Sequence, residues 1–289
     1  MSELLVALVE NGVLVEDPGP TPVPWWSFTK CALAAGALAL VADGILRLDA
    51  PLGDRPFSLR QLLEHRAGLP DYGHLGAYQE AVERREAPWD TKTLLRRVAA
   101  ERLLFEPGAA WAYSNVGYLF IRQLIEDAVG EPLDDALRRL VLAPLGITGD
   151  TRVAATSSDL NATAWGNPHG YDPRWVYHGL LIGPPAAAAL LLWRILTADL
   201  LPLPLRIEVG KARRLDGPPP PNRPWRAPAY GLGMMVDAAT GVIGHTGGGP
   251  GSTAAVYCST ARVPTRVAAV FARGEDVERV EHIAATLLA

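Results

Sequence analysis

Residues 25–42 read WWSFTKCALAAGALALVA. Ser27 is followed three places on by Lys30, and then by an apolar run that lasts to Ala42. That run is well short of the roughly 20 residues that span a bilayer. With no polar face, it predicts a helix buried on all sides of a folded core. Lys30 stands at the N-terminal end of this helix, and the chain has only two other lysines, Lys92 and Lys211. An amine withdrawn from water is disfavoured as a cation, and the helix dipole at that end disfavours positive charge as well. Residues i and i+3 share a helix face, so Ser27 and Lys30 would touch. A neutral amine beside a hydroxyl can take its proton, which is how a weak serine nucleophile is activated. The unpaired N–H groups of the first turn would be available to an oxyanion. By itself Ser-x-x-Lys also describes a capped helix with a snorkelling lysine, so partners elsewhere in the chain decide.

Bulk properties narrow the choice. With 289 residues, 49% hydrophobic and 20% charged, the chain can bury a full core as one or two domains. A formal net charge of −4 gives no electrostatic reason to expect nucleic acid or a membrane surface as partner. Cys31 and Cys258 are too few for a disulfide scaffold and read as buried free thiols. Histidines 65, 74, 169, 178, 245 and 282 show no HExxH or HxH spacing, and no cofactor or metal is expected. His65 reads as a structural residue. MSELLVALVENG carries an acidic residue where an export signal needs positive charge, so the expected location is cytoplasmic.

The pattern along the chain predicts an α+β fold (broadly α/β): an antiparallel sheet flanked by helices, with an all-helical lobe beside it. Residues 4–9 and 13–15, split by Asn11-Gly12, predict a hairpin. Ser58 to Gln61 is a capping-box pattern. Helices are expected from Asp90 or Thr91 to about Leu104, from Ser114 or Asn115 to Gly130, and from Pro184-Pro185 onward. DGPPPPNRPWRAP (216–228) predicts an extended surface loop. Strand-like runs follow, and the last 13 residues close with an amphipathic helix. We expect one catalytic domain, 1–289, in two lobes: sheet and helix from 1–56 and 200–289, helical from 57–199.

Two further stretches supply the partners. FEPGAAWAYSNVGYLF (105–120) puts Tyr113-Ser114-Asn115 at a loop-to-helix junction, and HTGGGPGS (245–252) ends a strand in a glycine-rich turn. Ser-x-x-Lys, Tyr-x-Asn and His-Thr-Gly in this order resemble the serine β-lactamase, D-Ala-D-Ala peptidase and penicillin-binding superfamily, most of all its class C-like esterase branch. LLEHRAGLPDYG (62–73) resembles it too, and the likeness runs from about Trp25 to Leu288.

The resemblance implies that Ser27 carries an acyl group, that Lys30 and Tyr113 share base work, and that Tyr113 relays a proton to the leaving group. It implies that Asn115 donates to substrate and that the Ser27 and Gly248 N–H groups form an oxyanion hole. His245, Thr246 and Gly247 would complete the substrate-binding strand, in a cleft between the lobes. His245 stands where penicillin-binding enzymes usually carry lysine, which weakens any carboxylate anchor. No class A-type glutamate loop is evident, and the stretch before Ser27 is short, so the sheet is expected to lack or compress a strand. These departures favour a serine hydrolase of small esters or amides. β-Lactamase or D-amino-acid peptidase activity is the alternative, and a catalytically silent binding protein on the same fold is a third reading. The substrate would be a small-molecule ester, amide or β-lactam. The tryptophans are expected in the core, with Trp111 and the Trp165–Trp175 region at an acyl pocket. No Gly-x-Ser-x-Gly elbow or phosphate loop is present.

Overall fold

The computed structural model describes residues 3–147, 149–261 and 263–289; Met1 and Ser2 of the N-terminal stretch quoted above lie outside them. Asn11 and Gly12 both take positive φ, 47° and 84°, as a two-residue hairpin turn demands. They join β1 (Leu4–Glu10) to β2 (Val13–Glu16). Three very short strands, β3 (Val23–Pro24), β4 (Arg152–Val153) and β5 (Leu181–Gly183), form a small sheet of their own in the order β3-β5-β4. The rest are β6 (Arg213–Arg214), β7 (Pro228–Tyr230), β8 (Met235–Asp237), β9 (Val242–Gly249), β10 (Ser252–Ser259) and β11 (Arg266–Arg273). With β1 and β2 they make one antiparallel sheet in the order β2-β1-β11-β10-β9-β8-β7-β6. The chain's two ends meet in it, with Val6 opposite Val270. The N-terminal hairpin is thus fully used, although β2 is only four residues long.

Side chains alternate faces along a strand. In β10, Ala254, Val256 and Cys258 enter the main core, while Ala255 and Tyr257 face a second cluster with Val280, Ala284 and Leu288 of the C-terminal helix Val277–Leu288. Every residue of β10 is buried. A sheet covered on both faces reads as unbroken apolar runs, which is why STAAVYCS lacks the alternation usual in antiparallel strands. The helix Pro185–Thr197 covers the first face, packing on β1, β10 and β11.

The helix Thr29–Ala42 is buried from Thr29 to Leu40 and packs on the helix Asn115–Val129. Both contacts cross the lobe boundaries drawn from the sequence, because an apolar helix must lie between layers wherever these are found. Caps account for several boundaries. Ser58 and Gln61 form the capping box, Asp90 and Ser114 accept first-turn N–H bonds, and Gly130 ends its helix in the left-handed conformation. The helix from Thr91 stops at Arg97, well before Leu104. Ala99 there takes φ 52°, and the Leu104 N–H donates to the Gly68 carbonyl at 2.7 Å instead of continuing a helix. Strand β9 also runs further than expected, so Gly247 and Gly248 are strand residues and the turn is Pro250-Gly251. Cys31 and Cys258 are buried free thiols. Among the described residues no helix is long and apolar enough to cross a membrane.

Leu38 is buried in the middle of the central helix. Leu38→Ala is expected to destabilise the fold by about 2–5 kcal/mol, the range for cavity-forming core truncations. A denaturation midpoint unchanged from wild type would mean that this helix does not hold the layers together.

Candidate active site

The chain is fastened on its way into the central helix. Strand β3 pairs with β5, the Trp25 N–H donates to the Leu181 carbonyl at 2.9 Å, and the Trp25 indole N–H donates to the Gly183 carbonyl at 3.1 Å. Trp26 then takes φ 45°, a left-handed conformation that is uncommon for a bulky residue and characteristic of functional sites. Its indole N–H donates to Ser252 Oγ at 2.9 Å, and its ring lies over Gly249. Strand β9 approaches this turn closely. A Cβ on Gly247 would stand 2.8 Å from the Trp25 carbonyl oxygen and 2.9 Å from the Ser27 nitrogen, so only glycine allows the approach.

Ser27 Oγ lies 3.1 Å from Lys30 Nζ and accepts from the Tyr113 hydroxyl at 2.9 Å. Lys30 Nζ also donates to Asn115 Oδ1 at 2.8 Å and lies 3.2 Å from His178 Nε2. The lysine is fully buried. Burial brings its pKa down from 10.5 to about 7, although Asp71 pulls the other way. Asp71 caps this corner, accepting from the Asn115 N–H at 2.7 Å and from the Gly73 N–H at 3.2 Å. Burial likewise pushes the Tyr113 phenol up, so it stays protonated at neutral pH and donates its hydrogen bond to Ser27 Oγ. His65 steadies it. That ring packs tilted against the Tyr113 ring, centroids 4.3 Å apart, and its Nδ1 accepts the Ser114 N–H at 3.1 Å.

The structure brings Ser27, Lys30, Tyr113 and Asn115 together, while the His-Thr-Gly stretch is arranged differently from expectation. His245 is wholly buried and does not line the cavity. Its Nδ1–H donates to the Thr246 carbonyl at 2.6 Å, so its Nε2 accepts from the Tyr230 hydroxyl at 2.9 Å. Burial, then the field of Lys30, lowers its pKa to about 3, so it is a neutral structural group and offers no charge to a substrate. The Thr246 side chain points to the opposite face, toward Tyr257 and Glu281, as strand alternation requires. Gly247 packs on the serine's backbone, and Gly248, with Gly249 and Pro250 after it, lines the cavity. Asn115 has its carbonyl committed to Lys30, which leaves only its NH2 to donate to a ligand.

The cavity above Ser27 has a volume of about 910 Å³. Trp26, Tyr72, Tyr78 and Tyr171 supply aromatic walls, and Glu83 and Glu275 supply the acidic ones. Trp111, Trp165 and Trp175 do not line it; Tyr171, from the same region, does. Sequence reading also missed His178 and Asp71. Asp71 lies within the LPDYG segment that carried part of the resemblance, whereas His178 sits in no motif. Among the described residues no group of three or more His, Cys, Asp or Glu is placed to hold a metal ion.

A hydroxyl between a buried amine and a protonated phenol, beside a sheet covered by helices, is the arrangement that the comparison with known proteins has to account for. Residues 5–289 match the family described as Beta-lactamase, and the chain belongs to it. Esterase EstB of Burkholderia gladioli is 33% identical over 144 residues, covering 42% of this chain and 36% of that protein. A D-aminopeptidase of Brucella anthropi is 29% identical over 247 residues, 78% of this chain and 45% of its own length. The chain thus spans less than half the length of these relatives. The D-amino acid amidase from Ochrobactrum anthropi SV3 superimposes with a TM-score of 0.81 at 21% identity, over 98% of this chain and 94% of that one, which shows the shared fold.

An amine with a pKa near 7 is a base only above that pH. The rate at which a fluorophosphonate labels Ser27 is therefore expected to fall about tenfold for each pH unit below 7, and Lys30→Met should reduce it at every pH. A flat profile from pH 5 to 9 would refute the neutral lysine.

Proposed function

We propose that the protein is a serine hydrolase that forms an acyl-enzyme on Ser27 and turns over small esters or amides. The observation that carries this reading is the contact of Ser27 Oγ with a buried amine at 3.1 Å and a protonated phenol at 2.9 Å, on the floor of an open cavity. Lys30 takes the serine proton as the oxygen bonds to the substrate carbonyl. The Ser27 and Gly248 N–H groups hold the oxyanion, a role to which the close fit of β9 against the serine's turn lends support. Tyr113 gives its proton to the departing alcohol or amine and is reprotonated at the expense of the Lys30 ammonium. Asn115, with its NH2 free of Lys30, donates to the substrate's acyl portion. A water molecule then repeats the sequence on the acyl-enzyme.

Charge in the cavity separates the substrate classes. Glu83 and Glu275 line it, and no arginine or lysine is among the described lining residues. A β-lactam or a peptide C-terminus brings a carboxylate, which these walls repel and His245 is too deeply buried to bind. Neutral esters and amides enter without that penalty, in keeping with the relatedness to an esterase. Amides carrying a free ammonium are attracted, and this favours an amino-acid amidase or aminopeptidase as the second reading, in line with the D-aminopeptidase relative. A catalytically silent protein would leave the neutral amine beside the serine without a use.

Butyrate esters such as p-nitrophenyl butyrate are expected to turn over faster than a chromogenic cephalosporin, with Ser27→Ala reducing the rate by more than about a thousandfold. Faster turnover of the cephalosporin would reverse the assignment, and absence of any Ser27-dependent labelling would end the enzyme reading. An amino-acid p-nitroanilide with a free amine should outperform its N-acetyl derivative, and Glu275→Gln should narrow the gap; equal rates would remove the electrostatic argument.

A further inference from the structure

His178 is 2% exposed, touches Lys30 with Nε2, and has no partner for Nδ1 among the described residues. It is held there by long-range bonds. The segment that follows it is fastened to the nucleophile's own turn: the Leu181 N–H donates to Thr29 Oγ1 at 3.0 Å, and the Leu181 carbonyl accepts from Trp25. The Ala154 N–H donates to the Leu180 carbonyl at 2.8 Å, which ties the other side. His178 therefore cannot shift relative to Lys30 without moving the serine's support.

A neutral amine has two N–H donors and one lone pair, and the Lys30 nitrogen has three polar neighbours: Asn115 Oδ1, Ser27 Oγ and His178 Nε2. The Asn115 carbonyl only accepts, so it takes one N–H. The lone pair then goes to either the serine or the histidine. With Nδ1 protonated, His178 presents its Nε2 lone pair, takes the second N–H, and leaves the lysine lone pair facing Ser27. With Nε2 protonated, the histidine would occupy that lone pair, and the serine would meet a donor. Tyr113 already donates to Ser27 Oγ, so the serine's own proton needs an acceptor, and Lys30 is the one in reach. One orientation satisfies every polar group around the amine, Tyr113 to Ser27, Ser27 to Lys30, and Lys30 to both Asn115 and His178, and it leaves the His178 Nδ1–H without a partner among the described residues.

Building on the serine-hydrolase reading above, we propose that His178 is a positioning residue whose Nε2 lone pair turns the Lys30 lone pair toward Ser27. Once the serine proton has moved to Lys30, the ammonium has three N–H groups for three acceptors: the serine oxygen, Asn115 Oδ1 and His178 Nε2. The histidine accepts throughout and needs no change of tautomer during the cycle. Its counterpart His245 has its tautomer fixed by the Thr246 carbonyl, whereas that of His178 is fixed by Lys30 itself. The other groups around Lys30 are the Tyr113 and Tyr118 rings, at 5.0 and 5.3 Å, with Asp71, Cys31, His65 and His245 acting through the field.

The test compares His178→Gln, whose Oε1 replaces Nε2 as an acceptor, with His178→Asn, the same amide one methylene too short, and with His178→Phe, which fills the space without accepting. On the full chain, kcat and KM for p-nitrophenyl butyrate and the fluorophosphonate labelling rate are read from pH 5 to 9. Asn and Phe are expected to lower kcat about 100-fold, within the range for a displaced general base, with KM changed less than about threefold. Their acid limb should move to lower pH, because an ammonium that loses an acceptor releases its proton more readily. Gln should recover to within about tenfold of wild type. A Phe or Asn variant with wild-type kcat and an unmoved acid limb overturns the proposal, as does a Gln variant that folds like wild type yet is no better than Asn. Ser27→Ala and Lys30→Met run alongside. If Ser27→Ala keeps its activity, the serine-hydrolase reading itself fails; if both controls are inactive and the His178 variants are unaffected, only this inference does.

Discussion

Desolvation of one amine organises the molecule. Moving Lys30 from 10.5 to about 7 corresponds to a penalty on its charged form on the order of 5 kcal/mol, and this survives the opposing pull of Asp71. To exert it, the protein has to keep water from the first turn of the helix Thr29–Ala42. It does so with a helix buried from Thr29 to Leu40, the rings of Tyr113 and Tyr118 beside the amine, and neutral histidines in place of cations. His65, His178 and His245 are each held well below the ordinary histidine range by burial first and the lysine's field second. None competes with Lys30 for charge at neutral pH.

The same dry floor needs an opening, and the sheet supplies it. Strand β9 runs past the serine with glycines at 247, 248 and 249, so backbone meets backbone where side chains would otherwise fill the space. Behind the strand, Thr246 bonds to Tyr257 and Glu281, and Glu281 pairs with Arg223 from the proline-rich loop. A buried carboxylate is tolerable only when so partnered. The loop read as surface chain thus contributes the cation that pairs with Glu281, the C-terminal-helix residue to which Thr246 of β9 donates.

What was legible in the sequence follows from the range of the interactions. Ser27 and Lys30 lie three apart on one helix, so their contact follows from helix geometry, and Ser114 as a cap placed Tyr113 and Asn115 at a helix mouth. Asn11-Gly12, Ser58-Gln61 and Gly130 encode their turns and caps locally. His245 was misjudged because its motif position does not say which way a strand faces, and Thr246 and Gly247 follow by alternation. The helix from Thr91 ended early because Leu104 found a distant partner in Gly68. His178 is 148 residues from Lys30, and no pattern reveals it, since only the pairing of β5 with the chain at Trp25 and Thr29 brings it in.

That pairing bears on how far chemistry and specificity are separable here. Ser27 and Lys30 lie on the floor, on a segment held by β5 on one side and by β9 on the other, while the walls come from Tyr72, Tyr78, Tyr171, Glu83 and Glu275. Glu83 and Glu275 can change without disturbing the bonds to Lys30, whereas the Tyr72 hydroxyl accepts the Tyr177 N–H beside His178 at 3.2 Å and is tied to that contact. On the proposed function, charge at Glu83 and Glu275 would select substrate independently of the base, since His245 is buried. A cation introduced at residue 275 would alter which acyl groups enter but leave the lysine's environment as it is, whereas a cation at residue 178 would stand against Lys30 itself and be disfavoured by the same desolvation that keeps the amine neutral.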